Sequence, residues 1–410
     1  MILDKGIYNE STYLYMERYI NDGSPSGFSD ITSSHPTKAK SSNRHFHIIG
    51  LSFSDKVIIQ DYGNKPDFID EWQMLAHPDM IYRPENNALL KECTKFELTA
   101  ILVSPTSSIR TVKMLDKNGW FIKLHYDGLI GRIVRKLERN HAVSAVEVSK
   151  IIEKAIDAQK LPKKFFIQRE PFARIINLQD EKQKLYEWGM VLREPFTYPF
   201  NDKVKSLIPA FSLFSEDPKN TNHKSILTQL IAKQTKCVED FLFEDLIAPV
   251  FESYFELLLK CGLQLECHAQ NTLFGIDENF GIVGIVAKDM ESIDKDISLM
   301  GDLNISQNIE IMNYKCLLKD DYNYQKMHSF MFDFKLGEYL ISPIIDDVIK
   351  NFPTFNANSL IDKIKEFNKI YLAKLPKDFL PANKWYSDKK EIRDRSEKKK
   401  YIENPNPKYR

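Results

Sequence analysis

An α+β fold of two lobes is predicted from two observations. Short alternating apolar runs dominate the N-terminal half of the 410-residue chain, and apolar residues at helical spacing dominate the C-terminal half. In chain order, the polar and aromatic residues 1–21 suggest a short helix, and Gly23–Asp30 is a Gly-, Ser- and Pro-rich loop. His45–Gln60 alternates as strands do, and Leu98–Val103 is a compact apolar run ending at Pro105. Val112–Leu124 reads as a hairpin turning at Asp116–Gly119. Val146, Ile151, Ile152 and Ala155 mark a helix over Val143–Gln159.

Ser225–Cys261 is mostly helical by pattern. Pro249 opens a new helix at its first turn, Val250, Tyr254, Leu257 and Leu258 form its apolar face, and Gly262 caps it. Three strands are expected next: Leu263–Cys267, Thr272–Ile276 and Ile282–Ala287, the last two joined by the Asp277–Gly281 loop. Helices then run to about Lys374, the last striped by Leu360, Ile364, Phe367 and Tyr371. The charge-dense tail from Ser387 reads as a solvated helix face, its cations alternating with Glu391, Asp394 and Glu397.

Composition narrows the function. Lys plus Arg and Asp plus Glu both total 57, so the neutral chain lacks the basic excess of a nucleic-acid binder. A 43% hydrophobic content supports a large core. The five cysteines form no CxxC pair and read as free thiols. With no signal-peptide pattern at the start and no run near 18 apolar residues, a soluble cytoplasmic protein without membrane association is expected. Only 15 glycines occur, and neither GxxxxGK[ST] nor GxGxxG is present. Pro25 stands where a serine-hydrolase nucleophile would sit in Gly23–Gly27, and there is no HExxH helix. Any nucleotide phosphate must therefore be held by side chains.

Four clusters could do this. His35, Lys38 and Lys40 lie in one Pro-containing loop that can grip an anion, or serve as an ordinary polar loop. Ser108, Arg110 and Thr111 follow an apolar strand and offer hydroxyls and a guanidinium fork to phosphate oxygens; the alternative is a turn with backbone-capping hydroxyls. Lys123 and Arg135, with Arg132 between them, can clamp a polyphosphate or carboxylate, or be solvated surface charge. Glu266, His268, Gln270 and Asn271 sit at a strand-to-loop transition, with Asp289 eighteen residues after Asn271. Strand ends carrying His, Asn and Asp resemble the magnesium-holding geometry of kinase-like folds, against the alternative of a structural histidine network.

In order and spacing these clusters resemble the IucA/IucC-like siderophore synthetases, which work without a nonribosomal peptide synthetase. His35–Lys40 looks like the HPxxK-type loop and Ala76–Pro78 like a second His-Pro element. Ser108–Thr111 matches SxRT, Lys123 and Arg135 fit the KL strand and the following TxxxR start, and Glu266–Asn271 matches ExHxQN. Asp289 sits in the family's Arg-Asp position, Val191–Glu194 and Ile208–Phe211 resemble mid-chain segments, and Tyr401–Pro405 the closing Asn-Pro. The sequence departs from the pattern at Gly131, Lys288, Ser292 and Asp333, where Thr or Ser, Arg, Gly and Asn are usual.

The resemblance implies a fingers/palm architecture with a kinase-like C-terminal palm and the N-terminal thumb largely missing. The implied divisions are a short segment 1–30, a fingers-like nucleotide-binding lobe 31–170 and a palm-like lobe 171–410. The implied activity is adenylation of a carboxylate such as citrate by ATP with Mg2+, then condensation with an amine or alcohol. It implies catalytic roles for Lys123, Arg135 and His268. Nucleotide contacts are implied for His35, Lys40, Ser108, Arg110, Thr111, Lys123, Arg135, Gln270 and Asn271, and metal contacts for Asp289, Glu266 and Asn271. The partners implied are these small molecules, with a homodimer as one oligomeric option. A non-catalytic partner subunit and a kinase-like phosphotransferase are the alternatives.

Overall fold

The computed structural model describes residues 10–21, 45–115, 119–130, 133–217, 222–305, 315–388 and 401–410. His35 and Lys40 lie outside the described residues, as do the Gly23–Asp30 loop, Gly131, Arg132 and tail residues 389–400. The chain begins with helix α1 (Glu10–Tyr19), whose Met16 is fully buried. Strands β1 (Phe46–Phe53), β2 (Ile58–Gly63), β3 (Met74–Ala76), β4 (Cys93–Pro105), β5 (Thr111–Met114) and β6 (Phe121–Leu124) follow. A small pair, β7 (Tyr126–Ile130) and β8 (Ile133–Arg135), leads to α2 (Arg139–Asp157). Then come β9 (Phe165–Ile167), β10 (Phe172–Gln179), β11 (Leu185–Arg193) and β12 (Ser206–Pro209).

After a π-helical turn at Phe241–Ile247, α3 (Ala248–Cys261) carries Pro249 in its first turn and ends at Gly262, which adopts φ 62°. That left-handed cap is the geometry glycine tolerates best. Strands β13 (Leu263–Gln264), β14 (Thr272–Ile276), β15 (Ile282–Ala287), β16 (Asp294–Asp296) and β17 (Cys316–Leu317) come next. A second π-helical stretch spans Phe330–Ile341, α4 spans Ala357–Leu372, and β18 (Lys384–Asp388) pairs antiparallel with β19 (Tyr401–Pro405).

Two sheets organise the molecule. The first has eight strands in the order β2-β10-β11-β6-β5-β4-β1-β3. It buries Ile48, Leu51, Val103, Val112, Ile122, Leu124 and Met190 on one side. On the other, Ala173, Ile175 and Val191 meet Ala142, Ala145 and Val146 of α2. The second sheet, β12-β14-β15-β9, lies in the core cluster that holds the apolar face of α3. Residues 168–171 carry the chain from β9 of the second sheet into β10 of the first. The first sheet thus takes two strands from beyond residue 170, and this short crossing creates a seam between the sheets.

Two expectations change. Only Leu263–Gln264 of the 263–267 run is strand, because the chain then turns and the His268 amide bonds the Glu266 carbonyl. The helical stretch after β15 is interrupted by β16 and β17, which join β13 in a third small sheet. The tail residues read as a helix face, 389–400, lie outside the described residues; on either side of them β18 and β19 pair, Phe330 packs edge-on against Tyr401, and Phe334 lies beside Trp385.

Candidate functional site

The seam between the sheets gathers most of the charged residues read from the sequence. Lys123, on the central strand β6, is 3% exposed. Its ammonium bonds the carboxylates of both Asp289 and Glu291. Arg193, at the end of β11, reaches Asp289 Oδ1 at 3.4 Å and Glu170 Oε1 at 2.6 Å. Glu170 sits on the crossing between the sheets, and its other oxygen accepts the Met290 amide at 3.0 Å. Arg110 stands 3.6 Å from Glu291 Oε2, and His141 Nδ1 stands 3.6 Å from Oε1.

Local backbone geometry sets these positions. Between β4 and β5 the chain folds tightly: the Thr106 amide and hydroxyl both bond the Thr111 carbonyl, and Ile109 adopts φ 52°. Arg110 donates to the carbonyl oxygens of Arg135 at 3.0 Å and Lys136 at 3.5 Å, which ties this loop to the end of β8. Ser108 is half-buried, and Thr111 begins β5 opposite Lys123. Asp289 follows β15 with φ 69°, a conformation Asp adopts more readily than most residues. The Ser292 hydroxyl donates to its carbonyl at 2.7 Å.

Electrostatics keep the cluster ionised. Burial alone would raise the Asp289 carboxyl, but Lys123 and Arg193 hold it well below the usual range. For Glu291, burial is likewise outweighed by Lys123 and Arg110. Burial pulls the Arg135 guanidinium down and Arg110 adds to this, with Asp289, Glu291 and Glu266 opposing.

Glu266, His268, Gln270 and Asn271 form an adjoining group. The Gln270 amide donates to His268 Nδ1 at 3.2 Å, so the imidazole proton sits on Nε2, which faces Glu266 Oε2 at 3.8 Å. Burial lowers His268 to about 4 despite the pull of Glu266, leaving a neutral ring near pH 7. Glu266 meets Lys335 at 2.9 Å and Lys315 at 3.9 Å. Burial would raise its carboxyl, yet these lysines hold it well below the ordinary value. Asn271 donates to Ser292 Oγ at 3.0 Å and to Glu266 Oε2 at 3.5 Å.

The structure therefore brings Ser108, Arg110, Thr111, Lys123, Arg135 and Asp289 to one seam, with the His268 group beside it. Of the residues read as metal contacts, Asp289 is engaged by Lys123 and Arg193, Glu266 by two other lysines, and Asn271 by its amide. Among the described residues, no group of three or more His, Cys, Asp and Glu side chains gathers to hold a metal ion.

Sequence reasoning missed Glu17, Glu170, Glu291, Lys315 and Lys335, and gave Arg193 no role. Glu291 stood two residues after Asp289 and could have been read with it. Glu17 carries no local signal. It is 1% exposed on α1, bonds Lys288, and accepts from Ser107 Oγ and Tyr13 OH at 2.9 Å each.

Residues 72–215, which carry Ser108, Arg110, Thr111, Lys123, Arg135 and Arg193, match one family model. It describes the IucA / IucC family. Solved structures similar to this chain include ATP-bound aerobactin synthetase IucA from a hypervirulent pathotype of Klebsiella pneumoniae. At 13% identity and TM-score 0.68, that match covers 99% of this chain and 80% of IucA. The petrobactin biosynthesis protein AsbB from Bacillus anthracis str. Sterne matches at 14% identity and TM-score 0.66, over 89% of this chain and 68% of AsbB. Aerobactin synthetase IucC from the same Klebsiella pathotype matches at 13% identity and TM-score 0.61, over 90% and 66% respectively. The fold is that of the IucA / IucC synthetases. No curated protein matches the sequence. Among the described residues, no helix is long and apolar enough to cross a membrane.

Proposed function

We propose that this chain is an ATP-dependent siderophore-type synthetase that activates a carboxylate as an acyl-adenylate and joins it to an amine or alcohol. The observation that carries this reading is the convergence of Arg110, Lys123 and Arg135 with Asp289 and Glu291 at the seam. Three cations can neutralise a triphosphate, and they stand next to a histidine that is neutral near pH 7. A neutral Nε2–H can donate to a carboxylate. Likeness in fold to an ATP-bound IucA and a match to its family over 72–215 support the same reading. A two-lobed division into fingers and a kinase-like palm is part of the proposal.

In this mechanism the carboxylate attacks the α-phosphorus of ATP and pyrophosphate leaves; the second substrate then displaces AMP. Lys123 neutralises the charge that grows on the α-phosphate. Ser108, Arg110 and Thr111 hold the outer phosphates, together with His35 and Lys40. Gln270 and Asn271 line the nucleotide side. Arg135 spans a phosphate and the carboxylate, and His268 orients that carboxylate for in-line attack. Asp289 and Glu291 would hold Mg2+ through the hard oxygen donors it prefers, with Glu266 and Asn271 supporting them. Bound there, Mg2+ would neutralise negative charge across the phosphates. Lys123 would exchange its carboxylate partners for the nucleotide.

The test is incubation of purified protein with ATP, Mg2+, a panel of polycarboxylates and hydroxylamine. Hydroxamate and pyrophosphate should form, and Asp289→Ala should lower the rate at least about a hundredfold with the fold retained. Release of ADP would indicate phosphotransfer. Unaltered ATP with saturable binding would indicate a non-catalytic relative.

A further inference from the structure

Strand β4 leaves part of the eight-stranded sheet open. It is thirteen residues long and pairs with β1 from Cys93 to Val103. On its other side β5 pairs only with Val103, Ser104 and Pro105. Among the described residues, no strand adjoins that second side over residues 94–100, so this stretch presents an edge. Side chains alternate along it. Lys95, Glu97 and Thr99 share one face, where Glu97 accepts from Trp72 Nε1 at 2.7 Å and Thr99 is buried. Thr94, Phe96, Leu98 and Ala100 share the other face and are exposed, Phe96 to 52% and Leu98 to 67%. A solvated face of an antiparallel sheet ordinarily carries polar residues. An open edge beside an exposed apolar row is a template for a further strand.

The charges on this edge complement themselves. Lys95 and Glu97 flank Phe96 and meet at 2.8 Å within one chain. In an antiparallel pairing of two copies about a two-fold axis at Phe96, Lys95 of each copy stands opposite Glu97 of the other, which makes an alternating set of four charges. On the other face Phe96 stands opposite Phe96, and Leu98 opposite Thr94. A register centred on Lys95 or on Glu97 would set like charges opposite each other. We propose that β4 is a dimerisation edge, on which two copies of this chain pair antiparallel about Phe96, join their large sheets and cover Phe96 and Leu98. None of these residues belongs to the seam, so the proposal does not depend on the reaction assigned there.

A contact of this length belongs to the small end of interface sizes, so association should depend on concentration. Sedimentation velocity of the full chain from about 1 to 200 µM should show monomer passing to dimer. Phe96→Glu sets two carboxylates face to face at the axis and should weaken the dimer at least about a hundredfold, with far-UV circular dichroism unchanged. Lys95→Glu should weaken it about tenfold, and adding Glu97→Lys should restore it, because each reversed charge again meets its opposite. Phe96→Cys should form a covalent dimer under copper–phenanthroline oxidation, since paired Cβ atoms at the axis lie about 4.5–5.5 Å apart. Ala100→Cys, about eight positions out of register with its own copy, should cross-link no more than the unaltered chain. A monomer at every concentration would overturn the proposal. So would a dimer unmoved by Phe96→Glu, or cross-linking through Ala100→Cys as complete as through Phe96→Cys.

Discussion

Lys123 shows how one residue can be both structural and chemical. It is buried between two carboxylates, each of which keeps a second cation: Arg193 for Asp289 and Arg110 for Glu291. Lys123→Met should destabilise the protein by about 3–5 kcal/mol in urea unfolding, because two buried carboxylates lose their shared partner. Asp289→Asn should cost less than half of that, since Lys123 keeps Glu291. His268 makes a pH prediction. Its folded pKa of about 4 lies below the ordinary 6.5, so the unfolded chain binds more protons between those values. Its contribution to stability is complete above pH 6.5 and is lost as pH falls towards 4. The contribution is on the order of 3 kcal/mol, and His268→Gln should give a correspondingly shallower acid dependence of the urea midpoint. Lys123, His268 and Asp289 were legible in the sequence because each sits in a short motif. Glu17 and Glu170 were not, because their partners lie 271 and 23 residues away and only the folded seam brings them together.

Elements with strong local signals were read well, and those that depend on distant partners were not. The cap of α3 was visible as a glycine after an apolar stripe. A Cβ there would lie 2.8 Å from the Met300 amide nitrogen and 3.0 Å from the Asp296 carbonyl, besides meeting a φ of 62°. Gly262→Ala should therefore lower stability by about 1–2 kcal/mol, measured as a shift in urea midpoint with unchanged slope. The hairpin of β14 and β15 was also plain, since its turn and alternation are contiguous. Strands β10 and β11 were not read as such, although eight residue pairs join them. Their runs are apolar and half-continuous, as suits strands covered by packing on both faces, so period-two alternation is weak. The pairing of β18 with β19 was not read, because it depends on aromatic residues on either side of a charge-rich stretch.

At the scale of the whole molecule, α1 spans the seam. Through Glu17 it joins Ser107, on the loop between β4 and β5, to Lys288 at the end of β15. The Glu17–Lys288 pair is buried, so breaking it should cost more than replacing it. Glu17→Met and Lys288→Met should each destabilise by about 3–5 kcal/mol, while the double variant should be destabilised by much less than the sum of the two. A double-mutant cycle on urea unfolding measures this; strict additivity would show that the pair does not act as a unit. The α+β class was legible because the composition changes along the chain. The way the first sheet draws strands from both sides of residue 170 was not, because pairing order leaves no trace in local pattern.

The seam also carries its own counterions. Among the described residues, Lys123, Arg110, Arg193 and Lys288 pair with Asp289, Glu291, Glu170 and Glu17, and Arg135 lies beside them. A polyanion entering such a site exchanges partners with resident side chains and displaces few mobile salt ions. Its affinity is consequently set by how well the internal ion pairs reshuffle, and it varies little with the ionic strength of the surroundings.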